Sequence, residues 1–397
     1  MPSTSTAAVP SPARSPKRRR VVVSLAAAGG IALSSIFAAP VAHAELTGGH
    51  RSDTVQQSAD RLVKDAQFPG ALISVREPGG RVQNYTAGVA DLKTKTKMPV
   101  DGRIRIGSNT KMFTSTVLLQ LVGEGKVKLD EPVETYLPGL VRGPGIDGKK
   151  ITVRHLLQQT SGLQDYDDVI FEDFLNALGT FYEPHDLLDI ALARQPESAP
   201  GEKFAYSNTN YILAGLIVQK VTGRPVAEQI TKRVIEPLRL RDTYWPAEGD
   251  KTIRGTHPRG YFPANDGKPP VDITESEASP AWSAGALIGT PSDINRFLTG
   301  LLGGKLLKPA QLAEMKKTVD APGFDTVGGS RYGLGIATFK LSCGGFSWGH
   351  GGIAPGYVSQ VGITSSGKTA TVAVTSLIGS EEQAAAIDKA LDAALCS

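Results

Sequence analysis

The sequence has almost no cysteine: Cys343 and Cys396 are the only two in 397 residues. One covalent bridge is therefore the most that can brace the chain, and an exported protein is expected to make it. A surplus of positive charge is also missing once the N-terminus is set aside. The formal net charge is +4, but Arg14, Lys17, Arg18, Arg19 and Arg20 all stand within residues 1–44, which hold no acidic residue. Residues 45–397 are thus close to neutral, which gives no electrostatic case for binding nucleic acid or an anionic membrane. The segment also lacks a linker, an internal repeat and a low-complexity tract. A single nested unit is expected.

Long apolar runs are scarce as well. The clearest, VVVSLAAAGGIALSSIF, is short for a bilayer and diluted by serine and glycine. It follows the basic segment and ends at Ala42-His43-Ala44. That pattern predicts a signal peptide over residues 1–44, cleaved before Glu45, and a secreted protein without a membrane anchor. The adjacent arginines leave both the general and the twin-arginine route open.

What is present reads as α/β. ALISVRE and VQNYTAGVA flank a Pro-Gly-Gly turn and predict a hairpin. SNTKMFTSTVLLQLVGEG predicts an amphipathic helix opening at Ser108 and closing at its glycines. Helical patterns and polar loops follow to about residue 280, with YILAGLIVQKVTG and INRFLTGLLGG the clearest helices. After Arg331 the texture turns to strands, and EEQAAAIDKALDAAL closes the chain as a helix. Strands at both ends imply one sheet built from both termini. Residues 45–130 with 285–397 would form a sheet subdomain, and 131–284 an inserted, mostly helical one.

Two short motifs suggest chemistry and fail on context. GITSSGKT (362–369) fits the phosphate-binding G-x-x-x-x-G-K-[ST] pattern, yet a β-branched run follows it where a helix should begin. SSGK reads instead as a hairpin turn. GFSWG (345–349) fits G-x-S-x-G, but HGGIAPGY after it cannot start a helix, and no histidine follows His350.

A third set of residues is more coherent. Ser108 and Lys111, three apart on a helix, share a face one turn apart, with Ser108 at the positive end of the helix dipole. A lysine in a partly desolvated site can give up its proton and accept one from a hydroxyl. Tyr206-Ser207-Asn208 stands just before a helix. Tyr206 could shuttle a proton near Lys111 while the Asn208 amide orients a substrate carbonyl; a packed tyrosine and a helix cap are the plainer alternative. His350-Gly351-Gly352 would let a substrate backbone lie along a strand edge, or His350 is simply a neutral strand histidine.

S-x-x-K, Y-x-N and H-x-G in this order resemble the penicillin-recognising serine hydrolases. Within them the chain is most similar to exported D-alanyl-D-alanine carboxypeptidases, and less so to class C β-lactamases and esterases. GKVKLDEPVETYLPGL, ITVRHLLQQTSGL, SAGALIGTPSDINRFLTGLL, YGLG and the placing of both cysteines extend the resemblance over nearly all of residues 45–397. It implies a β-lactamase/transpeptidase-like fold, an antiparallel sheet flanked by helices with a helical second subdomain. It also implies an acyl-enzyme on Ser108, with Lys111 and Tyr206 sharing the base work and Asn208 binding the substrate amide. The backbone N–H groups of Ser108 and Ile353 would form the oxyanion hole. Phe171 and Trp282 fall in segments that border the family's cleft, although core packing suits both equally. No metal or organic cofactor is needed, and a monomer is expected.

The expected partners are peptidoglycan stem peptides or similar small acyl substrates, with β-lactams as inhibitors or substrates. The departures concern the leaving group. Such carboxypeptidases tend to read H-T-G with an arginine on the preceding strand; here the motif is H-G-G, Ile353 follows, and ATFKLS offers only Lys340. An esterase, a D-amino-acid amidase or a β-lactamase on the same scaffold is the alternative.

Overall fold

The computed structural model describes residues 48–263 and 268–397. The leader expected over residues 1–44 lies outside the described residues. Eight strands form the main sheet: β1 (Gly70–Arg76), β2 (Val82–Gly88), β3 (Val319–Asp320), β4 (Arg331–Tyr332), β5 (Ala337–Lys340), β6 (Phe346–Ala354), β7 (Tyr357–Ile363) and β8 (Thr369–Val374). Their order is β2-β1-β8-β7-β6-β5-β4-β3, and every pairing is antiparallel. The expected hairpin is β1–β2, and β1 is joined to β8 by Ala71↔Val374 through Arg76↔Thr369. Residues from the two ends of the chain therefore lie side by side.

Alternation along these strands builds two cores. Ile73, Val75, Val372 and Val374 face the helices α1 (Gly48–Lys64) and α5 (Glu381–Cys396), meeting Val55, Leu62, Ile387 and Leu391. Leu72 and Ala373, one position out of step, face the larger core on the other side, with Phe297 and Leu301 of α4 (Pro291–Leu302). A period of two on a sheet with helices on both faces produces this division.

The helix expected after Ser108 forms as α2 (Thr110–Gly123), preceded by a 3-10 turn over Gly107–Asn109 that holds the serine. It is not amphipathic, as the sequence pattern suggests, but buried on all sides. Its hydroxyls explain how. Thr114 donates to Ser283 O at 2.8 Å, Ser115 meets the Tyr211 hydroxyl at 3.1 Å, and Thr116 donates to Met112 O at 2.7 Å. Polar side chains so paired can be enclosed without an unmet partner. Phe113 stacks on Phe297 at 3.7 Å between ring centroids, fixing α2 against α4. The helix α3 (Thr209–Thr222) packs beside α2 and is closed by Gly223 in the left-handed region.

Both rejected motifs are strand features. SSGK is the β7–β8 turn, where Gly367 has φ +87° and Thr364 N–H donates to Lys368 O at 2.9 Å. Lys368 itself is bonded to Ser397 O at 2.6 Å. Ser347 is buried near the start of β6. Cys343 and Cys396 form a disulfide that ties the β5–β6 turn to the last turn of α5.

Candidate active site

Glycine lets the turn carrying Ser108 meet strand β6. Gly107 has φ +53°, and a Cβ there would stand 2.4 Å from Ile353 O and 2.8 Å from Ile353 N. Gly352 is as tight from the other side, its missing Cβ only 2.1 Å from Ile106 O. Asn109 fastens the contact by donating to Ile106 O at 3.0 Å and to Ser359 Oγ of β7 at 2.9 Å. The backbones at Ser108 and Ile353 are thereby neighbours.

Lys111 is fully buried beneath Ser108, with three partners: Ser108 Oγ at 2.9 Å, Asn208 Oδ1 at 2.6 Å and Ala284 O at 3.0 Å. Two of these are carbonyl oxygens and can only accept. When the amine is neutral its two N–H bonds go to them, and its lone pair is left for the one partner able to donate, the serine hydroxyl. Burial pushes the Lys111 pKa down to about 7, against the upward pull of Asp165 and Asp167. A neutral amine is accordingly available near pH 7.

Tyr206 lines the same cavity as Ser108 and lies with its ring centroid 4.9 Å from Lys111 Nζ. Burial raises its pKa well above the ordinary phenol value, with nearby Ser108 opposing the rise. It therefore keeps its proton at neutral pH. Asn208 occupies the N-cap position of α3, but its side chain does not cap the helix. The amide points instead to Lys111 through its oxygen and to Asp165 and Asp167 through its nitrogen.

His350 is buried, and burial together with the charge of Lys111 drives its pKa down to about 3. Its tautomer follows from its partners. Nδ1 faces Gly351 O at 2.5 Å and must donate, so Nε2 accepts from the Tyr332 hydroxyl at 2.9 Å. The imidazole is a neutral pin between β6 and β4.

A cavity of about 530 Å³ opens over these groups. Ser108, Tyr206, Asn208, His350, Gly352 and Ile353 all line it, so the structure brings six of the expected residues to one place. Phe171 and Trp282 are not among its lining residues. Phe171 packs against Phe174 at 5.6 Å, and Trp282 meets Trp245 edge to face at 6.5 Å in the wall of a separate cavity. Both take the packing role that apolar bulk gives them. Lys340 is exposed and also outside the Ser108 cavity.

Sequence reasoning missed three contributors. Asp165 and Asp167 sit in LQDYDD, which reads as a polar loop. Phe324 comes from an equally plain loop and lies 5.8 Å from the Tyr206 ring and 5.4 Å from His350, roofing the cavity. No motif or spacing in the sequence marks these three residues.

Residues 55–395 match the Beta-lactamase family. The chain belongs to that family. The antiparallel sheet with helices on both faces is the beta-lactamase-like fold, and the family is that of the penicillin-recognising serine hydrolases. Among solved structures, the chain is similar to a D-stereospecific amidohydrolase from a Streptomyces species, at 36% identity over 84% of this chain and 97% of that one, with a TM-score of 0.76. It is also similar to the D-amino acid amidase of Ochrobactrum anthropi SV3 bound to D-phenylalanine, at 28% identity, 87% and 98% coverage and a TM-score of 0.74. Protein flp of Staphylococcus aureus strain N315 matches at 31% identity over 201 residues, which is 50% of this chain and 40% of that protein. The chain thus spans well under two thirds of that curated relative.

Proposed function

We propose that this beta-lactamase family member is a D-stereospecific amidohydrolase that works through an acyl-enzyme on Ser108. Lys111 takes the serine proton as the hydroxyl attacks the carbonyl, and Tyr206 passes a proton on to the departing amine. The pKa directions at the two groups support this division, because a pKa near 7 leaves a large share of the lysine neutral at pH 7 and the phenol is not ionised. The Ser108 and Ile353 amides receive the developing oxyanion. Water then releases the acid.

The observation that carries the substrate class is the charge of the wall. The described residues lining the Ser108 cavity include Asp325 and Asp388 but no lysine or arginine. Lys111, beneath the floor, already has three partners. A leaving group with a free carboxylate would meet like charge there, whereas an amide or an acyl donor with a free amino group would not. The similarity to a D-stereospecific amidohydrolase and to a D-amino acid amidase supports the same reading.

D-Alanyl-D-alanine carboxypeptidase activity on cell-wall peptides is the second reading. It is favoured by Gln360 in the wall, whose amide could donate to a carboxylate. The deciding assay compares D- and L-phenylalanine amide with a diacyl peptide ending in D-Ala-D-Ala. Release of ammonia from the D-amide alone, abolished by Ser108→Ala, is expected. Release of D-alanine with no amide turnover would overturn the amidohydrolase in favour of the carboxypeptidase. Equal activity in the parent and Ser108→Ala would remove the site itself.

A further inference from the structure

We propose that Asp165 and Asp167 are positioning residues that act on Lys111 through the Asn208 amide. The inference rests on the reading of Lys111 as the base of Ser108. Neither acid lines the cavity that holds the serine, and neither has a role in the acyl transfer described above.

The contacts form a short relay. Asp165 Oδ2 accepts from both the backbone N–H and the side-chain Nδ2 of Asn208, each at 3.0 Å. The same Nδ2 donates to Asp167 Oδ2 at 2.7 Å, and Asp167 N–H donates to Asp165 Oδ1 at 3.2 Å. On its other side the amide accepts from Lys111 Nζ at 2.6 Å. An amide side chain has two nearly isosteric settings. Here an oxygen of each acid accepts from the NH2, so the amide oxygen is committed to the lysine. That commitment takes one N–H of Lys111 and, with Ala284 O, turns the lone pair toward Ser108.

The acids also act by charge. Burial of Lys111 depresses its pKa, and Asp165 and Asp167 are the two groups that hold it up. The remaining neighbours of the lysine carry no charge at neutral pH. The Tyr206 and Tyr211 rings lie 4.9 and 5.4 Å from Nζ, and His350 is neutral. Around the acids stand Tyr166, whose phenol burial also keeps protonated, and Asp168, which adds negative charge. Arg194 faces the outside of the turn, donating to Asp165 O at 2.9 Å and Asp168 Oδ2 at 3.3 Å. Burial raises both acids above the ordinary carboxylate range, and Asp165 raises Asp167 further.

The test is a titration of Lys111 by NMR in protein carrying 13Cε-lysine, the resonance being assigned by its loss in Lys111→Arg. Asp165→Asn and Asp167→Asn remove charge while keeping shape and an acceptor for Asn208. In each, the Lys111 midpoint should fall on the order of one pH unit, and the acid limb of kcat/KM on D-phenylalanine amide should fall with it. Asp165→Glu should return the midpoint toward the parent. A midpoint within about 0.2 unit of the parent in a folded Asp165→Asn protein overturns the proposal, since a merely structural role would not move it. Should Asp165→Asn fail to fold, Asp167→Asn is read by the same criterion. The titration needs no turnover, so an inactive parent would count against the amidohydrolase reading while leaving this measurement intact.

Discussion

Replacing Gly352 by alanine should push strand β6 away from the turn that carries Ser108. The added Cβ would lie 2.1 Å from Ile106 O and 2.6 Å from Asn109 Nδ2, where ordinary contact begins at 3.4 Å. The nearer atom is backbone and cannot rotate aside, so the strand must withdraw by roughly 1 Å in a close-packed interior. Overpacking of this kind costs about 1–3 kcal/mol of stability. A shift of that size at a reacting centre costs on the order of 10²-fold in rate, because the Ile353 amide no longer meets the oxyanion. Gly351→Ala is the internal control: its Cβ would meet only Gln360 Oε1 at 3.6 Å and Ser359 O at 4.0 Å. Its stability should stay within about 0.5 kcal/mol of the parent. Thermal melts and single-turnover acylation of the two variants compare the neighbours directly. Parent-like melting and acylation in Gly352→Ala would refute the close-approach argument.

Other consequences are as concrete. Ser108 acylation should rise with pH through a midpoint near 7, the pH at which Lys111 becomes neutral, and His350 should leave no inflection above pH 4, its pKa being about 3; a pH–rate profile of kcat/KM checks both. The Lys111 pKa near 7 lies below its ordinary 10.5, so the unfolded chain holds a proton that the native one has released. The contribution of Lys111 to stability should therefore grow between about pH 7 and 10.5. Denaturation of the parent and Lys111→Met over that window should show the difference. Replacing Cys343 and Cys396 by serine opens a loop of 53 residues and should cost up to about 4 kcal/mol by chain entropy, read from the urea midpoint with and without reductant. Added benzylpenicillin should leave a mass adduct on the peptide containing Ser108 in the parent and none in Ser108→Ala; an adduct on another peptide would contradict the nucleophile.

Much of this fold could be read from local pattern. The β1–β2 hairpin, the β7–β8 turn at SSGK, α3, α4 and α5 each follow from periodicity and from glycine at turns. The helix after Ser108 was legible as a helix but not in its burial, because Thr114, Ser115 and Thr116 look solvent-facing until Ser283, Tyr211 and Met112 supply their partners. At the site, Ser108 and Lys111 are linked by helical spacing alone. Tyr206, Asn208 and His350 needed the order of motifs, since 97 residues separate Lys111 from Asn208. Asp165 and Asp167 could not be found that way: a carboxylate in a loop acquires meaning only from what it faces. Phe171 and Trp282 show the converse, bulky residues near the right segments that pack elsewhere.

The pairing of β1 with β8 has a consequence for the order of events when the chain is made. Ala71 finds Val374 across about three quarters of the sequence, and Gly107 finds Ile353 across more than half of it. Contacts of such separation close late, after a large loss of chain freedom. The segment bearing Ser108 thus exists long before the strand that would complete its oxyanion pocket. A ribosome-bound chain that has not yet reached Gly349 carries Ser108 and Lys111 but not the strand residues that line their cavity.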